Sequence, residues 1–181
     1  MVVNDPPGHD EAKAAEAARE AREFRNALGA FPTGVSVVTT VDDDGRPVGL
    51  TCNSFASVSL NPPLVLWSLL VYSPSMNAFQ NASHFAVNVL SAAQRGLAGQ
   101  FAARAEDKFS GVAWQAGLGG APLLEGTVAN FQCRCVDRYY GGDHVIFLGA
   151  VEAYAYTGAE PLAFARGEFG TFTASRPEDA C

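Results

Sequence analysis

The sequence predicts a mainly β protein with a few helices, its strands wound antiparallel into a barrel. Three observations carry this prediction. At least six strand-length segments, apolar or alternating, are separated by clusters of Gly, Pro, Asn and Asp rather than by helices. Their connections are mostly hairpin-sized, whereas parallel strands need a helix-length crossover. The chain has 181 residues, 48% of them hydrophobic, with a mean hydropathy of +0.06. That is the size and composition of one domain around one core.

Residues 10–30 are rich in the helix formers Ala, Glu and Arg, and Arg19 has Glu23 four positions on, a pairing distance on a helix. Phe24, Ala27, Leu28 and Phe31 follow the i, i+3, i+4, i+7 pattern. The helix is therefore expected to dock through its last turns, leaving residues 1–23 as a solvated helical extension. Gly29 and Pro32 end it. Residues 35–41 are β-branched and half alternating, residues 42–46 turn at the Asp44-Gly45 step, and residues 48–52 resume the strand pattern, which reads as a hairpin. Residues 53–60 continue extended until Asn61-Pro62-Pro63. The continuous apolar run 64–70 is expected to be a strand buried on both faces. Ser73-Pro74-Ser75 opens a short helix to residue 81, with proline at the first helical position.

Residues 85–90 read as a strand. Ser91 and Gln94 have the spacing of a capping box for a helix reaching residue 103. A Gly-rich loop covers 110–122. Two long strands, 127–140 and 145–156, are joined through Gly141-Gly142-Asp143-His144. One domain, 24–172, is expected, followed by a short tail, 173–181.

The chain carries 12 Lys and Arg against 19 Asp and Glu, a net charge of −7. Such a surface repels phosphate backbones, so nucleic acid is not an expected partner. The first ten residues lack the apolar core of a signal peptide, and the longest apolar run is strand-sized. No membrane segment is expected, and the cytoplasm is the expected compartment. The four cysteines then read as thiols. Cys133 and Cys135 share one face of a strand but lack two further ligands at suitable spacing, so no metal is expected. There is no P-loop, no G-x-S-x-G elbow and no G-x-G-x-x-G after a strand; Gly117-Leu118-Gly119-Gly120 runs within a loop toward Pro122. A nucleotide cofactor would have to be held without a Rossmann unit.

The positive signal is polarity where a packed barrel would not place it. Residues 51–59 carry a hydroxyl or amide at nearly every second position, putting Thr51, Asn53, Ser57 and Ser59 on one side of an extended chain. Such a row suits hydrogen bonding to an isoalloxazine; it also suits a solvent-facing edge strand. Ser68 interrupts an apolar run, and Ser73 and Ser75 stand at a helix start where free N–H groups favour a phosphate, or where Ser73 simply caps. His144 opens the last apolar strand, its ring facing a cleft or solvent. Lys108 can reach a phosphate or form a surface ion pair.

In this order the segments resemble the flavin reductase-like domain family, the small reductases of two-component flavin monooxygenases. The matching stretches are Phe31-Pro32-Thr33-Gly34-Val35 with Val37-Val38-Thr39-Thr40, then Cys52-Asn53-Ser54-Phe55-Ala56-Ser57-Val58-Ser59 and Pro62-Pro63-Leu64-Val65-Leu66. Phe85-Ala86-Val87-Asn88-Val89-Leu90 with Gln94, Asp107-Lys108-Phe109, Gly141-Gly142-Asp143-His144 and Arg166-Gly167 complete the set. The resemblance implies a split β-barrel of the Greek-key, FMN-binding type, a homodimer, and a flavin in a groove near the subunit interface. By position it places Asn53, Ser54 and Ser57 at the ring system, and Ser68, Ser73 and Ser75 near the ribityl chain and phosphate. Thr39, Thr51, Cys52, Val58, Ser59, Leu69, Asn88, Phe101 and Lys108 would complete the flavin site. Pro32, Thr33, Gly34, His144 and Phe169 match positions near the nicotinamide, though the family often has tyrosine where Phe169 stands.

The implied activity is hydride transfer from NADH to exchangeable FAD or FMN, released by diffusion to a partner monooxygenase. No arginine cluster marks a 2′-phosphate pocket, so NADH is expected over NADPH. His144 is expected to position the nicotinamide rather than act as an acid. The alternatives are a split-barrel oxidase that retains FMN, and a non-enzymatic flavin carrier.

Overall fold

A computed structural model describes residues 9–174. In chain order it contains α1 (His9–Gly29), β1 (Thr33–Gly34), β2 (Ser36–Val41), β3 (Pro47–Cys52), β4 (Ala56–Leu60) and β5 (Pro63–Leu70). Next come α2 (Met76–Asn81), β6 (His84–Val89), α3 (Arg95–Ala102), β7 (Trp114–Ala116) and β8 (Pro122–Leu124). The chain closes with β9 (Ala129–Gly141), β10 (His144–Tyr156), β11 (Leu162–Ala165) and β12 (Glu168–Thr171). The expected class, mainly β with a few helices and antiparallel, is what forms: every strand pairing is antiparallel.

Seven strands form one sheet in the order β3-β2-β6-β9-β10-β5-β4, beside a β1-β11-β12 sheet and a β7-β8 pair. The edge strands β3 and β4 are consecutive in sequence, so residues 53–55 carry the chain from one edge of the sheet to the other with no ladder between them. One face of the sheet packs on the main core. Val38, Cys52, Val65, Phe85, Val87, Cys133, Val145 and Phe147 point into it from six strands, and Met76 and Phe79 from α2. At its centre Trp67 stacks on Phe147 at 4.7 Å and meets Phe79 and Phe85 edge-on. Burial of each such side chain contributes about 1.5–3 kcal/mol. No described helix is long and apolar enough to cross a membrane.

The local signals form as expected. In the β2–β3 turn Asp42 Oδ1 accepts hydrogen bonds from the Asp44 and Arg46 amides, and Gly45 takes φ +77°. Ser91 and Gln94 make the reciprocal capping box, opening a turn of 3-10 helix that leads into α3. The β9–β10 hairpin closes in two residues, with Gly142 at φ +66° in the first central position, the requirement of a type II′ turn.

Four expectations are corrected. The α1 stripe does not dock: Phe24, Leu28 and Phe31 are 66%, 58% and 75% exposed. Periodicity marks an apolar face without saying what covers it, and within the described chain the helix end is held by the Arg166 amide donating to Gly29 O at 2.7 Å. β5 is not buried on both faces. Val65, Trp67 and Leu69 enter the core, while Leu64, Leu66 and Ser68 are half-buried and Leu70 is exposed on the outer face. Pro74 lies before α2 rather than at its first position. Ser73 O accepts the Met76 amide and Ser73 Oγ the Ser75 amide, so a turn precedes the helix. Within residues 110–122 lies β7, with the start of β8 at its end, and β11 and β12 follow the strands expected to be last. The termini of the expected extension and tail, residues 1–8 and 175–181, lie outside the described residues.

Candidate functional site

Residues 53–55 link the two sheet edges. Cys52 turns its side chain into the core, and Phe55 packs on Phe131 with ring centroids 5.4 Å apart. These two anchors leave Asn53 exposed between them. Ser54 ties the link to β5: its Oγ accepts the Ser68 amide at 2.9 Å and reaches Ser68 O at 3.3 Å. Burial pushes the Cys52 thiol up, against hydrogen bonds from Ser54 that pull it down. Val58 is an extra residue in the β4–β5 register, since Ser57 pairs with Val65 and Ser59 with Leu64. A bulge re-aims side chains, so the expected continuous row of Thr51, Asn53, Ser57 and Ser59 is broken. The Thr51 hydroxyl donates to Ala98 O at 2.7 Å, and Ser59 Oγ accepts the Asn61 amide. Among the described residues, Asn53 and Ser57 keep exposed, unengaged side chains, with half-exposed Val58 beside them. β4 pairs only with β5, leaving the backbone groups along its other edge open.

A second group surrounds the far end of β5. Ser68 lies opposite Ile146 and Leu70 opposite His144 on β10, so Ser68 and His144 share the outer face while Leu69 enters the core. The Val71 amide donates to Asp143 O at 2.9 Å, which brings the loop holding Ser73 and Ser75 beside the β9–β10 turn. His144 Nδ1 is 2.7 Å from Asp143 Oδ1 with its side chain 44% exposed. That hydrogen bond holds the Asp143 carboxyl below its usual range. The helix start beyond Ser75 is not a built anion site: α2 has six residues and the Ser75 amide is already taken by Ser73.

Several expected flavin contacts are instead internal supports. Asn88 is fully buried: its Nδ2 reaches Val37 O, Thr39 Oγ1 and Pro122 O, and its Oδ1 accepts the Leu124 amide. Thr39, also fully buried, donates to Pro122 O at 2.6 Å. Phe101 is fully buried, edge-on to Phe109 at 4.9 Å. Side chains without solvent-accessible surface cannot touch a ligand in this arrangement. Lys108 is partly buried, its ammonium donating to Phe101 O at 2.9 Å, and desolvation lowers its pKa.

The remaining expected residues lie on the three-stranded sheet. Thr33 faces Phe164 across β1–β11, and Phe164 faces Phe169 across β11–β12, so the three share one row. The rings of Phe164 and Phe169 are 5.3 Å apart, with the Arg95 guanidinium over Phe169. Thr33 Oγ1 is buried without a partner among the described residues, while Pro32 and Gly34 are exposed. His144 belongs to the other sheet, so one chain's ladders do not join it to this row. Sequence reading missed what stands beside that row: Arg22 and Arg25 from α1 meet Arg166 from the β11–β12 turn around one cleft. No sequence signal marks this grouping, because Arg166 lies far along the chain from Arg22 and Arg25.

The family model described as "Flavin reductase like domain" matches residues 28–173. An FMN reductase (NADH), SmoA, from Agrobacterium fabrum is 48% identical over 152 residues, covering 84% of this chain and 86% of that protein. The monooxygenase reductase subunit HsaB of Mycobacterium tuberculosis is 42% identical, covering 82% of this chain and 80% of its own. Other relatives are longer: the chain spans 48% of a probable flavin reductase of Rhizobium meliloti. Among solved structures, the NADH:FAD oxidoreductase SgcE6 of Streptomyces globisporus, in complex with NAD and FAD fragments, superposes with a TM-score of 0.81. It is 40% identical and covers 86% of this chain and 94% of its own. The sequence motifs, the antiparallel architecture and these likenesses agree, and the chain belongs to the flavin reductase-like domain family.

Proposed function

We propose that this chain is an NADH-dependent reductase that reduces exchangeable FAD or FMN and releases it to a partner monooxygenase, working in the cytoplasm as a homodimer with a split-barrel core. The observation that carries the reading is the link between the sheet's edges. It presents Asn53, Ser57 and the open β4 backbone edge as a polar strip fixed from behind by Ser54 and Ser68. Hydroxyl, amide and backbone donors in a line suit the polar rim of an isoalloxazine. The strip itself offers no arginine, and charge-assisted clamps are what make phosphate binding persistent, so the site favours exchange over retention.

Flavin and reduced nicotinamide, when bound, supply the chemistry: a hydride passes from nicotinamide C4 to flavin N5. The protein's part is placement. Asn53 and Ser57 hold the ring rim, Ser68 and the neighbouring serine loop lie along its tail, and His144, steadied by Asp143, orients the nicotinamide. Thr33 and Phe169 stand on a separate sheet, and a second copy packed on the exposed faces would set them and His144 around one ligand. The names of the relatives, reductases with NADH, FMN or FAD and reductase subunits of monooxygenases, favour the same reading.

The test is NADH oxidation, followed by nicotinamide absorbance, with FAD, FMN or neither added to desalted protein. Turnover that requires added flavin, with little flavin retained on desalting, is expected. Tight retention of flavin without turnover would move the assignment to an oxidase or a carrier.

A further inference from the structure

The cleft between α1 and the β11–β12 turn has a volume of about 620 Å³ and is lined by Arg22, Arg25, Asn26, Phe164 and Arg166, with Gly29 at its base. Three of the chain's 12 basic residues converge there in a protein of net charge −7, and no carboxylate lines the cleft. Among the described residues none of the three arginines is in a salt bridge, whereas Arg19, Arg46 and Arg134 each are. Arg25 spends only its Nε, on Ala21 O. Like charges gathered without a counter-charge are unfavourable until an anion joins them.

Arg166 adds a second, independent observation. It has φ +52°, alone among the described non-glycine residues in the left-handed region, and is followed by Gly167 at φ +83°. This two-residue turn is of the type that favours Asn or Gly at both positions. A bulky residue held there is strained, and such strain persists where a side chain is needed for function. The Arg166 amide fixes the turn to the end of α1 through Gly29 O. Phe164 gives the cleft an aromatic wall, in register with Thr33 and Phe169.

We propose that this cleft binds the diphosphate of a dinucleotide, with Arg22, Arg25 and Arg166 on the phosphate oxygens and Phe164 against an adjacent ring. Guanidinium forks pair with phosphate in two-point contacts. The assignment rests on the reductase reading, and the three arginines form a grouping that the expectation of no arginine cluster for a 2′-phosphate did not foresee. Both the nicotinamide dinucleotide and FAD carry a diphosphate; the row with Thr33 and Phe169 favours the nicotinamide dinucleotide.

Arg166→Asn removes the guanidinium while suiting the turn, and Arg22→Gln with Arg25→Gln removes the other two. With FMN as acceptor, KM for NADH is expected to rise about tenfold in either variant. KM for reduced nicotinamide mononucleotide, which has the same ring and no diphosphate, should stay within about twofold. A selective loss of affinity for FAD over FMN would instead identify FAD as the source of the diphosphate. Unchanged constants for NADH and for FAD would overturn the proposal. If the wild-type protein oxidises neither nicotinamide, the reductase reading falls, and ADP still tests the cleft by calorimetry. Binding to the wild type, weakened about tenfold in Arg166→Asn, supports the site, and no binding or equal binding overturns it.

Discussion

Asn88 makes four hydrogen bonds inside the protein, so removing its side chain strips the Leu124 amide of its acceptor and takes a donor from the Val37 and Pro122 carbonyls, the latter keeping Thr39. Asn88→Ala is expected to cost about 3 kcal/mol in urea unfolding, while folded protein keeps its flavin affinity. A normal stability with lost flavin binding would return Asn88 to the ligand site. His144→Ala should raise KM for NADH more than it lowers the hydride-transfer rate. A collapse of single-turnover rate at saturating NADH would contradict a positioning role. Cys133 has its thiol pushed up to about 12, by burial first and by the charges of Glu152 and Cys135 next. The folded state therefore disfavours the thiolate, and the stability this contributes is full below the ordinary thiol value of 9.0 and lost as pH rises toward about 12. Unfolding titrations at neutral and alkaline pH should show that loss in the wild type and a smaller one in Cys133→Ala.

Among the elements, β10 is the most exacting. A Cβ on Gly149 would lie 2.5 Å from Phe85 Cζ and 2.9 Å from Cys133 Cβ. Gly149→Ala is thus expected to destabilise by about 1–3 kcal/mol through overpacking, read in the same unfolding titration. What the sequence made legible at this scale was local: the Asp44-Gly45 turn, the Ser91–Gln94 box, and the β9–β10 hairpin each depend on neighbours within a few residues. β1, β11 and β12 were not legible, because strands of two and four residues exist only through pairing at long separation. The Val58 bulge was equally hidden, since alternation cannot show where a register slips. For that reason, of the row read as Thr51, Asn53, Ser57 and Ser59, Asn53 and Ser57 keep exposed side chains, whereas Thr51 and Ser59 are engaged by the backbone. Asn88, Thr39 and Phe101 were drawn to the flavin by position in a motif, when burial gives them a supporting part.

At the scale of the molecule, large apolar side chains remain open to solvent: Phe24 and Leu28 on α1, Phe31 just beyond it, and Tyr139, Tyr140, Tyr154 and Tyr156 on the long β9–β10 hairpin. Apolar surface on this scale marks association. Light scattering is expected to give twice 19.0 kDa, and Leu148→Asp, on the outer face opposite Leu66, should shift the protein toward monomer.

The three-residue crossing from β3 to β4 has a thermal consequence as well. Among the described residues no strand ladder closes that seam, which the Ser54–Ser68 bonds and the packing of Cys52 and Phe55 span, so it is where the sheet is expected to part first on heating. A flavin lying along the strip would act as a suture across it. Binding at a hundredfold excess over Kd adds about 2.7 kcal/mol to the folded state. The melting temperature should therefore climb with added flavin and fall back on dilution, so heat alone can report whether the cofactor is aboard.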